Sequence, residues 1–449
     1  MNSSTPTLAR KLGLFDATML VIGGIVGAGI FMNPSVVARE VTTPVMILGA
    51  WIFGGLVAMA GAFVYAELAS QRPAVGGQYA YLREAFHPAV AFLYGWGLLL
   101  VVQTGGMAAV GMTFARYFVE LTGTRVSENA VAMLTLAVLT GVNCMGVRAG
   151  SNVQSGLTVL KMAAISFLIV AGVAGLNRLP VEWTPTLGSG GVIENVGSMG
   201  AAMIPVLFAY GGWQTACFIA AELKEPERDM PRGLVLGVLG VMVLYVSVNW
   251  VCLLVLGPTK LAATSAPASD IMRLVMGENG ARLIALGITV STLGFLSQGM
   301  LTAPRVYYAM AQDGLFFQSI GKVHPKTQAP VNAIALQGLC ACIIAMTGSY
   351  GTILNYVVSV DFIFYGLTGL CLFIFRVRTP VREWYGSYHV PGHPFTTVFF
   401  IASCWAVVLA TIVKYPSNSL IGLGILAAGL PVYFFWSSRK SRSNVEPDT

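Results

Sequence analysis

Apolar runs of about 18 residues or more recur along this chain from end to end, and they constrain its fold more than any other feature. Each is long enough to cross roughly 30 Å of hydrocarbon as a helix. Of the 449 residues, 56% are hydrophobic and 10% charged, and the mean hydropathy is +0.74. Soluble globular chains carry roughly 25% charged residues, so the composition excludes that class. An all-α polytopic membrane protein is expected.

Breaks of charge, proline and glycine divide the apolar sequence into about twelve spans. They start near residues 15, 44, 88, 128, 152, 196, 232, 281, 332, 351, 395 and 418, and the third and eighth read as long. Twelve spans put both chain ends on one side, and the Lys/Arg distribution says which. With the N-terminus inside, 17 of the 26 Lys and Arg fall in inside segments, 8 in outside segments, and Lys161 within a span. Both termini are therefore expected to be cytoplasmic. The formal charge of +7 is then largely a topology signal, and no nucleic-acid partner is implied. The opening "MNSSTPTLARKLGLFDATML" lacks an apolar core followed by a cleavage site, so the first span is expected to stay in the mature protein.

The seven cysteines lie in or at the ends of apolar segments and read as small buried hydrophobes. All four histidines fall in loops, so no His/Cys metal cluster is visible and no cofactor is expected.

The first span contains "GGIVGAGIF", four glycines in nine residues. Glycine in a helix interior costs about 0.5–1 kcal/mol relative to alanine. One explanation is close helix packing, since Gly23 and Gly27 form a GxxxG. The other is a discontinuous helix, unwound near Ile25–Gly29, whose free carbonyls and N–H groups line a cavity. Carbonyls suit an ammonium group, and the N-terminus of a following half-helix suits a carboxylate. An α-amino acid carries both. The sixth span, "AAMIPVLFAYGGWQTACFIAAE", places Pro205 and then Gly211–Gly212 at mid-span. If the chain is two five-helix halves plus two helices, spans one and six correspond, and matched interruptions point to a transporter substrate site.

With these motifs in hand, "GGIVGAGIF", "FAYGGWQTACFIAAELKEPERDMPRGL" and "NYVVSVDFIFYGLTGL" resemble the amino acid–polyamine–organocation superfamily. Within it they are most similar to the L-type (light-chain-like) amino acid transporter branch, and the resemblance covers nearly the whole chain. It implies a LeuT-type five-plus-five inverted repeat with helices one and six broken. The expected parts are a cytoplasmic tail (1–14), a first repeat (15–175), a second repeat (176–375), two further helices (376–437) and a cytoplasmic tail (438–449). The resemblance also implies a site. The substrate ammonium would meet carbonyls around Ile25, Phe208 and Gly211, beside Ala209 and Gly212. The carboxylate would meet N–H groups around Val26, Gly27, Ala28 and Gly29. Phe208 matches an aromatic that caps bound substrate from outside. Many relatives have serine where this chain has Ala28, which removes a hydroxyl but leaves the backbone donors.

Lys161 in "NVQSGLTVLKMAAISFLIV" lies inside the fifth span, where an ionisable group is costly. It could snorkel, being only about nine residues from the cytoplasmic end. By the resemblance it stands where sodium-coupled members bind sodium. Its ammonium would contact carbonyls near Gly23–Gly24 and a hydroxyl of Ser291 or Thr292, and a built-in cation argues against sodium coupling. Asp361 sits mid-span in the tenth helix, where many relatives have an amide. It reads either as a carboxylate hydrogen-bonded to neighbouring helices or as a proton-titrating or substrate-selecting group. Tyr245 and the Tyr365–Gly366 pair line the pocket or serve as packing. Glu222 and "KEPERDMPR" either pair across a moving gate or solvate a loop.

A channel would favour a symmetric oligomeric pore, which one chain with two unlike broken helices fits poorly. An enzyme would need a nucleophile–base pair or metal cluster in the spans, and neither is visible. The expected function is sodium-independent secondary transport of L-amino acids, neutral ones first, by alternating access, with exchange preferred to proton symport. Arginine, lysine and polyamines stay open because Asp361 could counter a distal charge. Eukaryotic relatives attach a glycoprotein subunit through a cysteine between spans three and four. Here that segment, "ELTGTRVSEN", has none. No disulfide-linked heavy chain is expected, and the setting is a bacterial inner membrane.

Overall fold

The computed structural model describes residues 8, 10–175, 191–346, 350–378 and 388–443, and every regular element among them is helical. Among the described residues, nine helices are long and apolar enough to cross a membrane. A bent pair, Leu14–Ile25 and Gly29–Glu40, makes one further span, and two shorter apolar helices, Glu128–Cys144 and Val331–Ala345, complete the twelve read from the sequence. The first span is the bent pair. The second to sixth are Pro44–Gln71, Pro88–Thr122, Glu128–Cys144, Val147–Gly175 and Glu194–Glu222. The seventh to twelfth are Pro226–Ala263, Pro267–Thr302, Val331–Ala345, Tyr350–Arg378, Phe395–Lys414 and Pro416–Ser443. Most of the tail 1–14, the last part of the tail 438–449, and Arg178 and Arg382 of the charge count lie outside the described residues.

Proline opens the second, third, seventh and eighth spans. Its missing N–H would have been unpaired in a first turn anyway, and its fixed φ suits a helix start. Thr43 and Ser127 cap the second and fourth spans through their side-chain oxygens.

Two short helices, Gln78–Ala85 and Pro304–Gln312, are absent from the sequence reading because neither is long enough to register as a span. They build one face of the bundle, where the sixth span ends. Glu222, fully buried there, takes a forked pair of hydrogen bonds from Arg305, at 2.7 Å to Nε and 3.3 Å to Nη2. Arg305 also donates to the Leu301 carbonyl at 2.6 Å. Of the two readings of Glu222, the geometry is the paired one, while the neighbouring Glu225 and Arg228 form only an exposed local pair. Close by, Asp313 accepts from Arg83 at 2.6 Å and from the Tyr79 hydroxyl at 2.7 Å. That hydrogen bond raises the pKa of Arg83 further, and burial, then the Asp313 charge, pushes the Tyr79 phenol up. The chain before the first span is stitched to the same face: Lys11 and Leu12 donate to the Glu222 carbonyl, and Lys224 donates back to Leu12.

A buried pair broken on one side leaves an uncompensated charge, at about 3–5 kcal/mol, whereas replacing both partners with apolar residues is often neutral. Arg305→Met alone should therefore lower the unfolding temperature of purified protein in detergent far more than Glu222→Leu combined with Arg305→Met. Equal losses in the two variants would show that the pair acts by shape rather than by charge.

Candidate substrate site

The first span stops being helical after Ile25 and starts again at Gly29, with a bend of 41° between its halves. The sixth stops at Tyr210, and its backbone turns through Gly211 and Gly212 before continuing from Trp213. Gly212 has φ 103°, a left-handed value that only glycine adopts without strain. The two interruptions touch. A Cβ on Gly24 would lie 2.5 Å from the Gly212 carbonyl oxygen, and one on Gly212 would lie 2.1 Å from that of Gly24. Farther along, Asn33 Nδ2 of the second half-helix donates to the Pro205 carbonyl at 2.8 Å. The packing reading of the glycines describes this chain as well, because a Cβ on Gly23 would collide with Gln154 of the fifth span.

A cavity of about 70 Å³ lies at this junction. Of the residues singled out from sequence, it is lined by Ile25, Gly27, Ala28, Gly29, Phe208, Ala209, Gly211, Gly212 and Asp361. The N–H groups of Gly27, Ala28, Gly29 and Ile30 make no hydrogen bond to the described residues, the donor set a helix N-terminus leaves open. Ile25 and Phe208 each accept one protein hydrogen bond on the carbonyl, from the Tyr245 hydroxyl at 3.1 Å and from Gly211 N–H at 3.2 Å. Each keeps a second lone pair. Donors for a carboxylate and acceptors for an ammonium thus border one small space.

Two expectations need correction, for Val26 and for the hydroxyl partners of Lys161, and of their two open readings Tyr245 and Tyr365 take the packing one. Val26 does not line the cavity: its N–H is spent on Ile22 inside the first half-helix, and its carbonyl turns the other way, to Lys161. Tyr245 is not a lining residue either. It is wedged between Trp51 and Tyr210 and steadies the Ile25 carbonyl from behind. Tyr365 lies stacked on Trp213, ring centroids 5.6 Å apart, outside the cavity wall. Among the described residues, Lys161 also makes no hydrogen bond to the hydroxyls expected for it, donating to two carbonyls alone. Ser291 donates to the Gly27 carbonyl at 3.3 Å, and Thr292 to carbonyls of its own helix.

Lys161 itself is fully buried and does not snorkel. Its ammonium donates to the carbonyls of Gly23 at 2.8 Å and Val26 at 2.5 Å, at the end of the first half-helix. Carbonyls at a helix C-terminus lack intrahelical partners and carry partial negative charge, so a cation satisfies both needs.

The sequence reading missed the third- and eighth-span walls: Val102, Gln103, Gly106 and Val110, then Phe295 and Gln298. The third span passes through a π-helical turn, Leu98–Val102, immediately before Gln103. Thr104 donates its hydroxyl back to the Leu99 carbonyl there. Such turns often mark functional sites, and the available signal was a glutamine followed by a Gly–Gly pair inside an apolar run. Gln298 reaches Thr215 at 2.6 Å, and Thr215 in turn holds the Gly212 carbonyl at 2.6 Å.

Because backbone meets backbone at Gly24 and Gly212, a single methyl must push the two breaks apart. Gly212→Ala and Gly24→Ala should each weaken amino acid binding more than tenfold, about 1.4 kcal/mol or more, read as ligand-dependent thermal stabilisation. Gly49→Ala, where an added methyl meets nothing within 4 Å, is the matched control. Binding of wild-type strength by Gly212→Ala would show that the contact is dispensable.

The family model described as "Amino acid permease" matches residues 12–433. The serine/threonine exchanger SteT of Bacillus subtilis (strain 168) is 30% identical over 98% of this chain and the whole of the relative. The human large neutral amino acids transporter small subunit 2 is 27% identical over 96% of this chain and 82% of its own length. The mouse b(0,+)-type amino acid transporter 1 is 29% identical over 98% and 91%. These relatives are named as transporters and exchangers, and the chain is accordingly a multi-pass membrane transporter rather than an enzyme. It belongs to the amino acid permease family and is an L-type-like member of the amino acid–polyamine–organocation superfamily, as its first- and sixth-span motifs imply.

Proposed function

We propose that the chain is a sodium-independent exchanger of neutral L-amino acids, working by alternating access around the cavity between spans one and six. The observation that carries this reading is the meeting, around one cavity, of the open N–H groups of Gly27, Ala28 and Gly29 with the Ile25 and Phe208 carbonyls. A zwitterion satisfies both ends at once. At about 30 Å³ per water the cavity holds about two waters, which suits a small occupant. Phe208, partly exposed to the cavity, caps the site. Residues 15–175 and 176–375 act as the two repeats that rock against each other. The Glu222–Arg305 face is the cytoplasmic side, shut in this arrangement, and both termini lie there in a cell membrane. The names of the relatives agree with amino acids as cargo. With no cysteine between spans three and four, no disulfide-linked subunit is required.

Lys161 supports sodium independence because its ammonium already occupies the carbonyl end of the first half-helix. Removing it leaves buried carbonyls unpaired, at about 1–3 kcal/mol. Lys161→Ala should cut transport much more than expression, and Lys161→Arg should not restore it fully, because a wide planar guanidinium replaces a compact charge. Full transport by Lys161→Ala would remove this role.

The direct test is counterflow of labelled L-amino acids into proteoliposomes holding the purified chain alone, with and without sodium and pH gradients. Counterflow that needs internal amino acid and ignores sodium is expected. Accumulation driven by a pH gradient without internal substrate would replace exchange with proton symport, and strict dependence on sodium or on a second subunit would contradict the reading.

A further inference from the structure

We propose that a groove between the second, sixth and eleventh spans binds one acyl chain of a bilayer phospholipid, and that this chain backs the wall of the substrate cavity. The second half of the proposal rests on that cavity being the amino acid site. The groove has a volume of about 380 Å³, against about 70 Å³ for the cavity. Leu207 lines both, so at that point a single residue stands between them.

The shape of the groove follows from small residues. Ala402, Ala406 and Ala410 recur every four residues and so lie on one face of the eleventh span. Gly200 of the sixth span lines the same space, and a Cβ added there would meet nothing within 4 Å. Phe53 and Phe399, also in the lining, meet edge to face with ring centroids 5.7 Å apart and bridge the second and eleventh spans. No charged residue lines the groove, and Ser403 supplies its sole hydroxyl.

The surroundings identify the occupant as lipid. Val398, Trp405 and Leu409 of the eleventh span are exposed. In a multi-pass membrane protein such a face meets hydrocarbon rather than water. From Phe399 to Ala410 the groove follows about 16 Å of helix. One leaflet of hydrocarbon is about 15 Å deep, so the length fits one chain of one leaflet. Lys414 stands one turn beyond Ala410 on the same face. It pairs with Glu40 of the first span, and an ammonium has three donors, which leaves capacity for a phosphate. A trough ending in a cation matches the two parts of a phospholipid. Apolar surface alone gives no preference here, because lipid tails are as apolar as leucine. What retains this tail is close packing along the trough together with the phosphate contact.

Leu207 immediately precedes Phe208, whose carbonyl borders the cavity. A tail packed against Met203 and Leu207 holds the last turn before the sixth-span break in place. With the groove unfilled, that turn has room to shift away from the cavity. Lipid occupancy therefore sets substrate affinity.

The test uses the purified full chain, stripped of lipid in detergent and titrated with dioleoyl phosphatidylglycerol, with bound lipid counted by native mass spectrometry. One lipid is expected to persist at collision energies that strip the others. Ala406→Phe, which puts a ring into the trough, should lower its occupancy at least fivefold. Leu409→Phe is the matched control and should retain it, because Leu409 is 64% exposed and lies outside the groove. Lys414→Gln should weaken phosphatidylglycerol binding but leave that of dioleoylglycerol, which has no phosphate, unchanged. Adding phosphatidylglycerol should tighten L-serine binding at least threefold in the wild type and not in Ala406→Phe, read as ligand-dependent thermal stabilisation. If Ala406→Phe does not fold, a photoreactive phosphatidylglycerol on the wild-type chain decides, with label expected on residues 199–207 and 399–410. Equal lipid retention by Ala406→Phe, label confined to other segments, or crosslinking of this face to a second copy overturns the groove as a lipid site. An equal effect of Lys414→Gln on both lipids overturns the phosphate contact. Bound lipid with serine affinity unchanged overturns the link to the cavity. A chain that retains the lipid but binds no amino acid contradicts the reading of the cavity instead.

Discussion

The backbone contact between Gly24 and Gly212 is what the rest of the structure is arranged around. Two helices are interrupted at a depth where no solvent can satisfy the freed groups, so each freed group must find a partner. Lys161 takes the Gly23 and Val26 carbonyls, Tyr245 takes one lone pair of Ile25, and Thr215 takes the Gly212 carbonyl. What is left open is the row of N–H groups from Gly27 to Ile30, of which Gly27, Ala28 and Gly29 border the cavity, and the unused carbonyl lone pairs of Ile25 and Phe208 beside it. The glycines are needed twice over. They let the two chains approach to backbone contact, and at Gly212 they allow the turn itself.

The arrangement also explains why charge sits at only a few depths. Lys161 is tolerated because it replaces missing donors at a helix end. Glu222 and Arg305 are tolerated because each completes the other beneath the sixth span. Asp361 forms no ion pair with a Lys, Arg or His among the described residues. The first span is anchored at its start as well: Asp16 accepts from Ser151 at 3.0 Å and from Gly13 N–H at 3.0 Å, tying that half-helix to the fifth span. The fifth span therefore holds the first half-helix at both ends, through Ser151 and Lys161.

Much of this was legible in the sequence. The twelve spans followed from apolar length, and both interruptions from glycine pairs in matched places, since glycine inside an apolar run needs a reason. Lys161 stood out because an ionisable group at that depth always needs a partner. The errors share one cause: a residue's span can be read from sequence, but the direction it faces cannot. The Val26 carbonyl sits within the unwound stretch yet turns to Lys161, and the same limit kept two readings open for Tyr245 and Tyr365, which stand one layer behind the cavity wall. Gln103 and Gln298 were missed because an uncharged amide in an apolar run is a weak signal. The π-helical turn that rotates Gln103 toward the cavity has no signature of its own. The Arg305–Glu222 pair joins residues far apart in sequence, and Arg305 lies on a helix too short to see in a hydropathy profile.

The central claim is that the open backbone groups at the two breaks hold the substrate's zwitterion. A structure determined by electron cryo-microscopy with L-serine bound addresses it most directly. The account places the carboxylate within hydrogen-bond distance of the N–H groups of Gly27 to Ile30, and the ammonium against the Ile25 and Phe208 carbonyls. Density for the amino acid in the wider pocket lined by Arg116, Tyr117 and Arg282, with the cavity between the breaks unfilled, would contradict it.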